Sequence, residues 1–162
     1  MINTPRRTGL RRFFSTPMQT VISSSPDQTK QIAAKFAATL SGGEVVLLEG
    51  DMGSGKTTFA QGLVEALSRG EGARSPTFTL VNIYPVSQDR IKQVVHADLY
   101  RLKSDQELAP LALEEWLGRK DTVVLVEWPE IGTSVFLDCS PIRVHLDATS
   151  EQERLLTISS YA

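Results

Sequence analysis

The sequence predicts a single α/β domain, because apolar runs of strand length alternate with segments of helical spacing. The runs at Val45–Glu49 and 123–127 are almost wholly aliphatic, as buried strands are. A glycine-rich stretch joins the first run to a helix-like segment. With 162 residues, of which 41% are hydrophobic and 22% charged, the chain is large enough to bury one core.

The amino-terminal stretch differs in charge from the rest of the chain. Residues 1–26 contain four arginines and no acid, which leaves 13 basic and 19 acidic residues afterwards. The composition of 1–17 is typical of an organelle transit peptide, but a disordered extension, or an over-long start with Met18 as the true first residue, fits it equally well. We therefore predict a basic leader over 1–22 outside the fold and one domain over 23–162.

Charge and hydropathy also limit the class of protein. The domain is acidic and has no stripe of Lys or Arg, which argues against strong independent binding to nucleic acid. No apolar run approaches the roughly 20 residues of a membrane span. The single cysteine, Cys139, excludes an internal disulfide, and neither His96 nor His145 stands in a recognisable catalytic setting. We expect a cytoplasmic protein, or an organellar one if the leader is a transit peptide.

The first predicted helix follows Ser25-Pro26-Asp27-Gln28, where the serine can cap the helix, the proline fits its first turn and the glutamine completes a capping box. Apolar residues at helical spacing continue for about four turns, and Gly42-Gly43 ends them. The strand Val45–Glu49, the glycine-rich loop and a helix over 57–67 come next.

The remaining elements are assigned from β-branched content and apolar runs. Residues 105–118 have helical spacing, although Pro110 should break or start that segment. We predict a strand over 77–84, a second strand that ends near Asp98 and a third over 123–127. Residues 142–146 and 155–158 should form a closing hairpin.

The glycine-rich stretch at 50–59 reads GDMGSGKTTF and contains the pattern G-x-x-x-x-G-K-[ST]. Its glycines permit positive φ and let the backbone approach a phosphate, which consecutive N–H groups and the start of the next helix can then surround. A flexible turn is the alternative, but the strand before and the helix after are what phosphate binding requires. The expected nucleotide-binding residues are Asp51, Gly53, Ser54, Gly55, Lys56, Thr57 and Thr58.

The chemistry expected of this loop needs a metal ion and a second acid. Lys56 would bridge the outer phosphates, and the Thr57 hydroxyl would bind Mg²⁺. Glu127 and Asp98 both end predicted strands, and Glu127 is the better magnesium ligand by pattern, whereas Asp98 could position the attacking water. Each could instead cap a helix or pair with an arginine. No Asn-Lys-x-Asp element of a GTPase occurs, so ATP is the expected nucleotide; Lys56, Asp98 and Glu127 are the expected catalytic residues.

Four segments together resemble the TsaE (formerly YjeE) family of small ATPases in bacterial tRNA threonylcarbamoyladenosine synthesis. They are GDMGSGKTTF at 50–59, SPTFTLVNIY at 75–84, HADLYRL at 96–102 and VEWPE at 126–130. The resemblance implies a three-layer P-loop NTPase-like α/β fold with a mixed parallel and antiparallel sheet. It also implies an accessory ATPase that is weak alone, docks on the TsaB–TsaD pair and reaches tRNA only through that complex.

By position, the resemblance makes Glu127 the second magnesium ligand and Asp98 a residue needed for ATP hydrolysis. Trp128 is either a core aromatic or a sensor of nucleotide or partner. Ser75 and Thr77 either contact the terminal phosphate as a switch or cap their loop. Asp27 and Thr29 fall in the nucleotide-facing segment.

Two questions stay open at this point. Arg101 and Arg154 are either arginine fingers or surface ion pairs, in which case a partner chain would supply the stabilising charge. The same loop also serves small-molecule kinases and binding modules with negligible turnover, although no compact arginine cluster of a kinase lid follows the loop.

Overall fold

The computed structural model describes residues 18–68 and 79–160. Ten helices and strands and three 3₁₀ turns are present in these residues. The strands are β1 Met18–Ser23, β2 Val45–Glu49, β3 Val81–Pro85, β4 Gln93–Asp98, β5 Thr122–Glu127, β6 Ile142–Ala148 and β7 Arg154–Ser160. The helices are α1 Pro26–Ala37, α2 Lys56–Ser68 and α3 Thr133–Leu137, and the 3₁₀ turns are Asp105–Glu107, Ala109–Leu111 and Leu113–Glu115.

The described strands form one sheet in the order β1-β7-β6-β2-β5-β4-β3. The four central strands, β6, β2, β5 and β4, are parallel to one another. The outer strands are antiparallel to their neighbours: β7 to β6, β1 to β7 and β3 to β4. The predicted α/β fold with a mixed sheet is confirmed.

The sheet lies between two apolar layers, because side chains alternate across each central strand. In β2, Val46 and Leu48 face the layer of α1 and α2, whereas Val45 and Leu47 face the opposite layer. That second layer contains the 3₁₀ turns and α3, through Leu108, Leu113 and Phe136. The predicted three-layer arrangement is therefore present, with one layer built mainly from 3₁₀ turns.

The start of α1 follows the predicted capping pattern. The Ser25 hydroxyl accepts the N–H of Gln28 at 3.1 Å, and the Gln28 side chain accepts the N–H of Ser24 at 2.7 Å. The glutamine therefore binds one residue earlier than in the usual capping box. The helix ends at Ala37.

The predicted boundary of the leader at residue 22 is wrong. Met18–Ser23 forms β1, which pairs with β7 from Met18 opposite Ser159 to Ser23 opposite Arg154. β1 has only six residues and follows directly on the arginine-rich stretch, so its sequence alone does not distinguish it from the leader. Residues 1–17, the rest of the predicted leader, lie outside the described residues.

The predicted helical segment at 105–118 and the predicted strand at 77–84 differ from the structure. Pro110 lies within the second of the three 3₁₀ turns, and Ala112 has φ 50°, so no continuous helix forms. In the second region residues 77–78 lie outside the described residues, and β3 begins at Val81, after Leu80 with φ 60°. Among the helices that the structure describes, none has both the length and the apolar character needed to cross a bilayer.

Candidate functional site

The glycine-rich loop joins the end of β2 to the start of α2, as the sequence predicts. Gly50, Gly53 and Gly55 have φ values of 134°, 79° and 103°, which side chains rarely adopt. A Cβ atom at Gly50 would overlap the carbonyl oxygen of Leu146 in β6 and lie 2.8 Å from the Ser54 hydroxyl. Gly50 therefore allows the loop to pack closely against the neighbouring strand.

Lys56 begins α2, and its ammonium lies against the loop. Its Nζ donates to the carbonyls of Gly50 at 2.6 Å and Asp51 at 2.8 Å, and lies 3.9 Å from the centre of the Trp128 ring. Burial lowers the pKa of Lys56, and nearby carboxylates, Glu127 first, oppose that shift. The side chain is only 4% exposed, so its charge acts at short range in poorly solvated surroundings.

Thr57 follows Lys56 and contacts the strand-end glutamate. Its hydroxyl donates to Glu127 Oε2 at 3.0 Å, and the other carboxylate oxygen, Oε1, lies 2.8 Å from His96 Nε2. Glu127 is 1% exposed and His96 fully buried. The structure thus brings together the two predicted magnesium ligands and adds a histidine that the sequence analysis set aside.

Asp98 ends β4 directly opposite Glu127 in β5. Its Oδ1 accepts the N–H of Tyr100 at 3.0 Å. Partial burial raises the pKa of Asp98, the Tyr100 N–H lowers it, and the Glu127 charge adds to the rise. Two carboxylates from neighbouring parallel strands therefore face the same end of α2.

A cavity of about 750 Å³ opens above these groups. It is large enough for a nucleotide, given the usual 300 to 1,000 Å³ of small-molecule sites. Of the predicted residues, it is lined by Thr29, Gly53, Gly55, Lys56, Thr57, Thr58, Asp98, Glu127, Trp128 and Arg154. Asp51 and Ser54 contribute to the loop without lining the cavity, and Asp27 and Arg101 do not line it. Ser75 and Thr77 lie outside the described residues.

Trp128 lines this cavity, beside Lys56. Its backbone has φ 59°, an unusual value for a bulky residue, and its ring lies 4.9 Å from that of Tyr100. Tyr100 is about half exposed. An aromatic pair therefore forms one wall of the cavity.

Arg154 also lines the cavity, although it is far from Asp98 and Glu127 in sequence. Its guanidinium donates to the carbonyl of Gly53 at 3.2 Å and to those of Ser150 and Glu153 at 2.9 Å each. Within the described residues no ion pair of Arg154 is present, so the predicted alternative of a surface ion pair does not describe it. The sequence pattern does not mark His96, Tyr100 and Gln152 as site residues, because their positions at the site depend on the sheet order and on packing.

The chain is similar to known proteins of one family. Residues 23–156 match the model of the family described as "Threonylcarbamoyl adenosine biosynthesis protein TsaE". A tRNA threonylcarbamoyladenosine biosynthesis protein TsaE from Rickettsia bellii is 39% identical over 144 residues, covering 88% of this chain and 94% of the relative. The protein of the same name from Bacillus subtilis is 34% identical over 136 residues, covering 84% and 82%.

A solved structure shows the same fold. The crystal structure of YdiB from Bacillus subtilis matches with a TM-score of 0.68 and 29% identity, covering 90% of this chain and 86% of YdiB. With the family model spanning most of the described residues, this chain belongs to the TsaE family of threonylcarbamoyl adenosine biosynthesis proteins.

Proposed function

We propose that this protein binds and hydrolyses ATP as an accessory factor in threonylcarbamoyladenosine modification of tRNA, acting on the TsaB–TsaD complex. The observation that carries the proposal is the contact between Thr57 and Glu127 at the mouth of a glycine-rich loop, beside the buried ammonium of Lys56.

The loop supports binding of a polyphosphate. Backbone N–H groups of a glycine-rich loop and of a helix start attract anions, and the Lys56 ammonium adds a full positive charge beside them. Lys56 holds the outer phosphates in this proposal, exchanging its hydrogen bonds with the Gly50 and Asp51 carbonyls for bonds to phosphate oxygens.

The donor set fits magnesium. Thr57 and Glu127 offer a hydroxyl and a carboxylate oxygen 3.0 Å apart, and Mg²⁺ prefers oxygen ligands and few protein side chains. When bound, the ion would neutralise charge that develops on the phosphates. Asp98, whose carboxylate lies on the same sheet edge, orients the attacking water in this proposal and accepts its proton.

The biological role follows from the relatives, whose names place them in tRNA threonylcarbamoyladenosine biosynthesis. The acidic domain favours a contact with tRNA through partner proteins over direct binding. Weak hydrolysis by the protein alone is consistent with an Arg154 guanidinium that is held by four backbone carbonyls. The proposed compartment is the cytoplasm, and mass spectrometry of the native amino terminus decides whether a leader is removed.

The test is phosphate release from ATP with and without purified TsaB and TsaD. We expect weak release alone and stimulation by the pair. Glu127→Ala should abolish the stimulated rate, whereas Glu114→Ala, which removes an exposed acid beside the opposite layer, should leave it unchanged. Phosphorylation of an added metabolite would favour a small-molecule kinase, and tight binding without release would favour a binding module; either result contradicts the proposal.

A further inference from the structure

We propose that His96 is a positioning residue that holds the carboxylate of Glu127 in the orientation needed for magnesium, with its Nε2 as the hydrogen-bond donor. The magnesium part rests on the proposed function above. The contact between the two side chains is a property of the protein itself.

The two oxygens of Glu127 have separate partners. Oε1 lies 2.8 Å from His96 Nε2, and Oε2 accepts the Thr57 hydroxyl at 3.0 Å. A carboxylate held at one oxygen can still rotate, whereas one held at both has a fixed plane. His96 therefore determines which oxygen of Glu127 remains on the side of Thr57 and the cavity.

The position of the proton follows from the donors and acceptors. An ionised carboxylate only accepts hydrogen bonds, so Nε2 must carry the hydrogen. The other ring nitrogen, Nδ1, is buried and has no hydrogen-bond partner within residues 18–68 and 79–160. A proton on Nδ1 would be a buried donor without an acceptor, which is unfavourable. The Nε2–H tautomer gives Glu127 a donor and leaves no buried donor without an acceptor.

The apolar surroundings of His96 do not explain a histidine at this position. Val94, two residues earlier on the same face of β4, and Leu125 of β5 belong to the apolar core. Burying an imidazole among such residues is unfavourable unless it makes a hydrogen bond, and Glu127 is the partner that the described residues provide. Residues that orient a metal ligand in this way typically affect metal affinity about 10- to 100-fold.

The first experiment compares two amides of different reach. The amide nitrogen of His96→Gln extends towards the position of Nε2, whereas that of His96→Asn is too short to reach Glu127. Val94→Ala is the matched control, since it removes packing from the same strand and face. For each protein, the dissociation constant of ATP is measured by calorimetry in Mg²⁺ and in EDTA.

We expect His96→Asn to reduce the affinity gain from Mg²⁺ about tenfold, with little change in EDTA. His96→Gln should keep most of that gain, and Val94→Ala should keep all of it. An unchanged gain in His96→Asn would overturn the inference. Equal weakening of binding in Mg²⁺ and EDTA would also do so, since it would indicate a structural role.

The second experiment needs no nucleotide. Long-range ¹H–¹⁵N spectra of the imidazole identify the tautomer, and we expect the proton of His96 on Nε2 in the wild-type protein, with a changed chemical shift in Glu127→Gln. A proton on Nδ1 would refute the inference. If the wild-type protein lacked magnesium-assisted ATP binding, the proposed function would fail, while these spectra would still decide whether His96 holds Glu127.

Discussion

Gly50 lies where the loop packs against Leu146 of β6. In Gly50→Ala the new Cβ overlaps the Leu146 carbonyl oxygen, and φ of 134° is unfavourable for any side chain. Backbone strain of this kind costs about 1 to 3 kcal/mol, and forcing an atom into a packed site costs about 1 to 3 kcal/mol more. We therefore expect the free energy of unfolding to fall by about 2 to 6 kcal/mol.

Gly53 of the same loop provides the matched control. Its φ of 79° is also positive, but no atom lies within 4 Å of where its Cβ would stand. Gly53→Ala should thus cost only the strain of a left-handed residue, about 1 to 2 kcal/mol. Urea unfolding in EDTA without nucleotide, followed by tryptophan fluorescence, measures both variants. If Gly50→Ala cost no more than Gly53→Ala, the packing argument would be refuted.

Three further predictions concern the site and the helices. Lys56→Met should weaken ATP binding about 10- to 100-fold, because an ammonium hydrogen bond is worth about 1.5 to 3 kcal/mol, while calorimetry with adenosine should show unchanged affinity. Asp98→Asn should raise the free energy of unfolding at pH 7 but not at pH 3. Burial raises the pKa of Asp98 above its ordinary 3.8, so the charged carboxylate destabilises the fold at neutral pH. This destabilisation disappears as the pH falls through the raised pKa, because the carboxyl group is then protonated. Urea unfolding at both pH values would contradict this reasoning if the variant were equally stabilised at pH 3. Gly62→Ala should destabilise the protein by about 1 to 3 kcal/mol, because its Cβ would lie 2.6 Å from Cα of Lys30 in α1. Helix propensity alone predicts a more stable variant, and that result in urea unfolding would contradict the close contact between the two helices.

The sequence predicted those parts of the site that depend on local patterns. The loop at 50–57 has fixed spacing, and Glu127 and Asp98 end recognisable strands, so their meeting follows from the parallel pairing of β4 and β5. Such pairing brings strand ends to one edge of a sheet. These elements need little information from distant parts of the chain.

The features that the sequence did not predict, such as His96 at the site and β1 in the sheet, depend mainly on contacts between distant segments. His96 looks like any residue of an apolar strand until β5 places Glu127 beside it. β1 is short, and its pairing with β7 joins the two ends of the domain. The helical spacing of 105–118 was real, but Pro110 and the left-handed Ala112 divide it into short turns.

The reversed direction of β7 has a consequence for how the cavity can change. Because β7 runs antiparallel to β6, its first residue, Arg154, stands at the same edge as the last residues of the parallel strands. The short connection before it, which holds Ser150, therefore sets where the guanidinium meets Gly53. Lengthening or shortening that connection would reshape part of the cavity while leaving the lysine, threonine and glutamate in place, so the shape of the cavity and the arrangement of these three side chains can vary independently in this architecture.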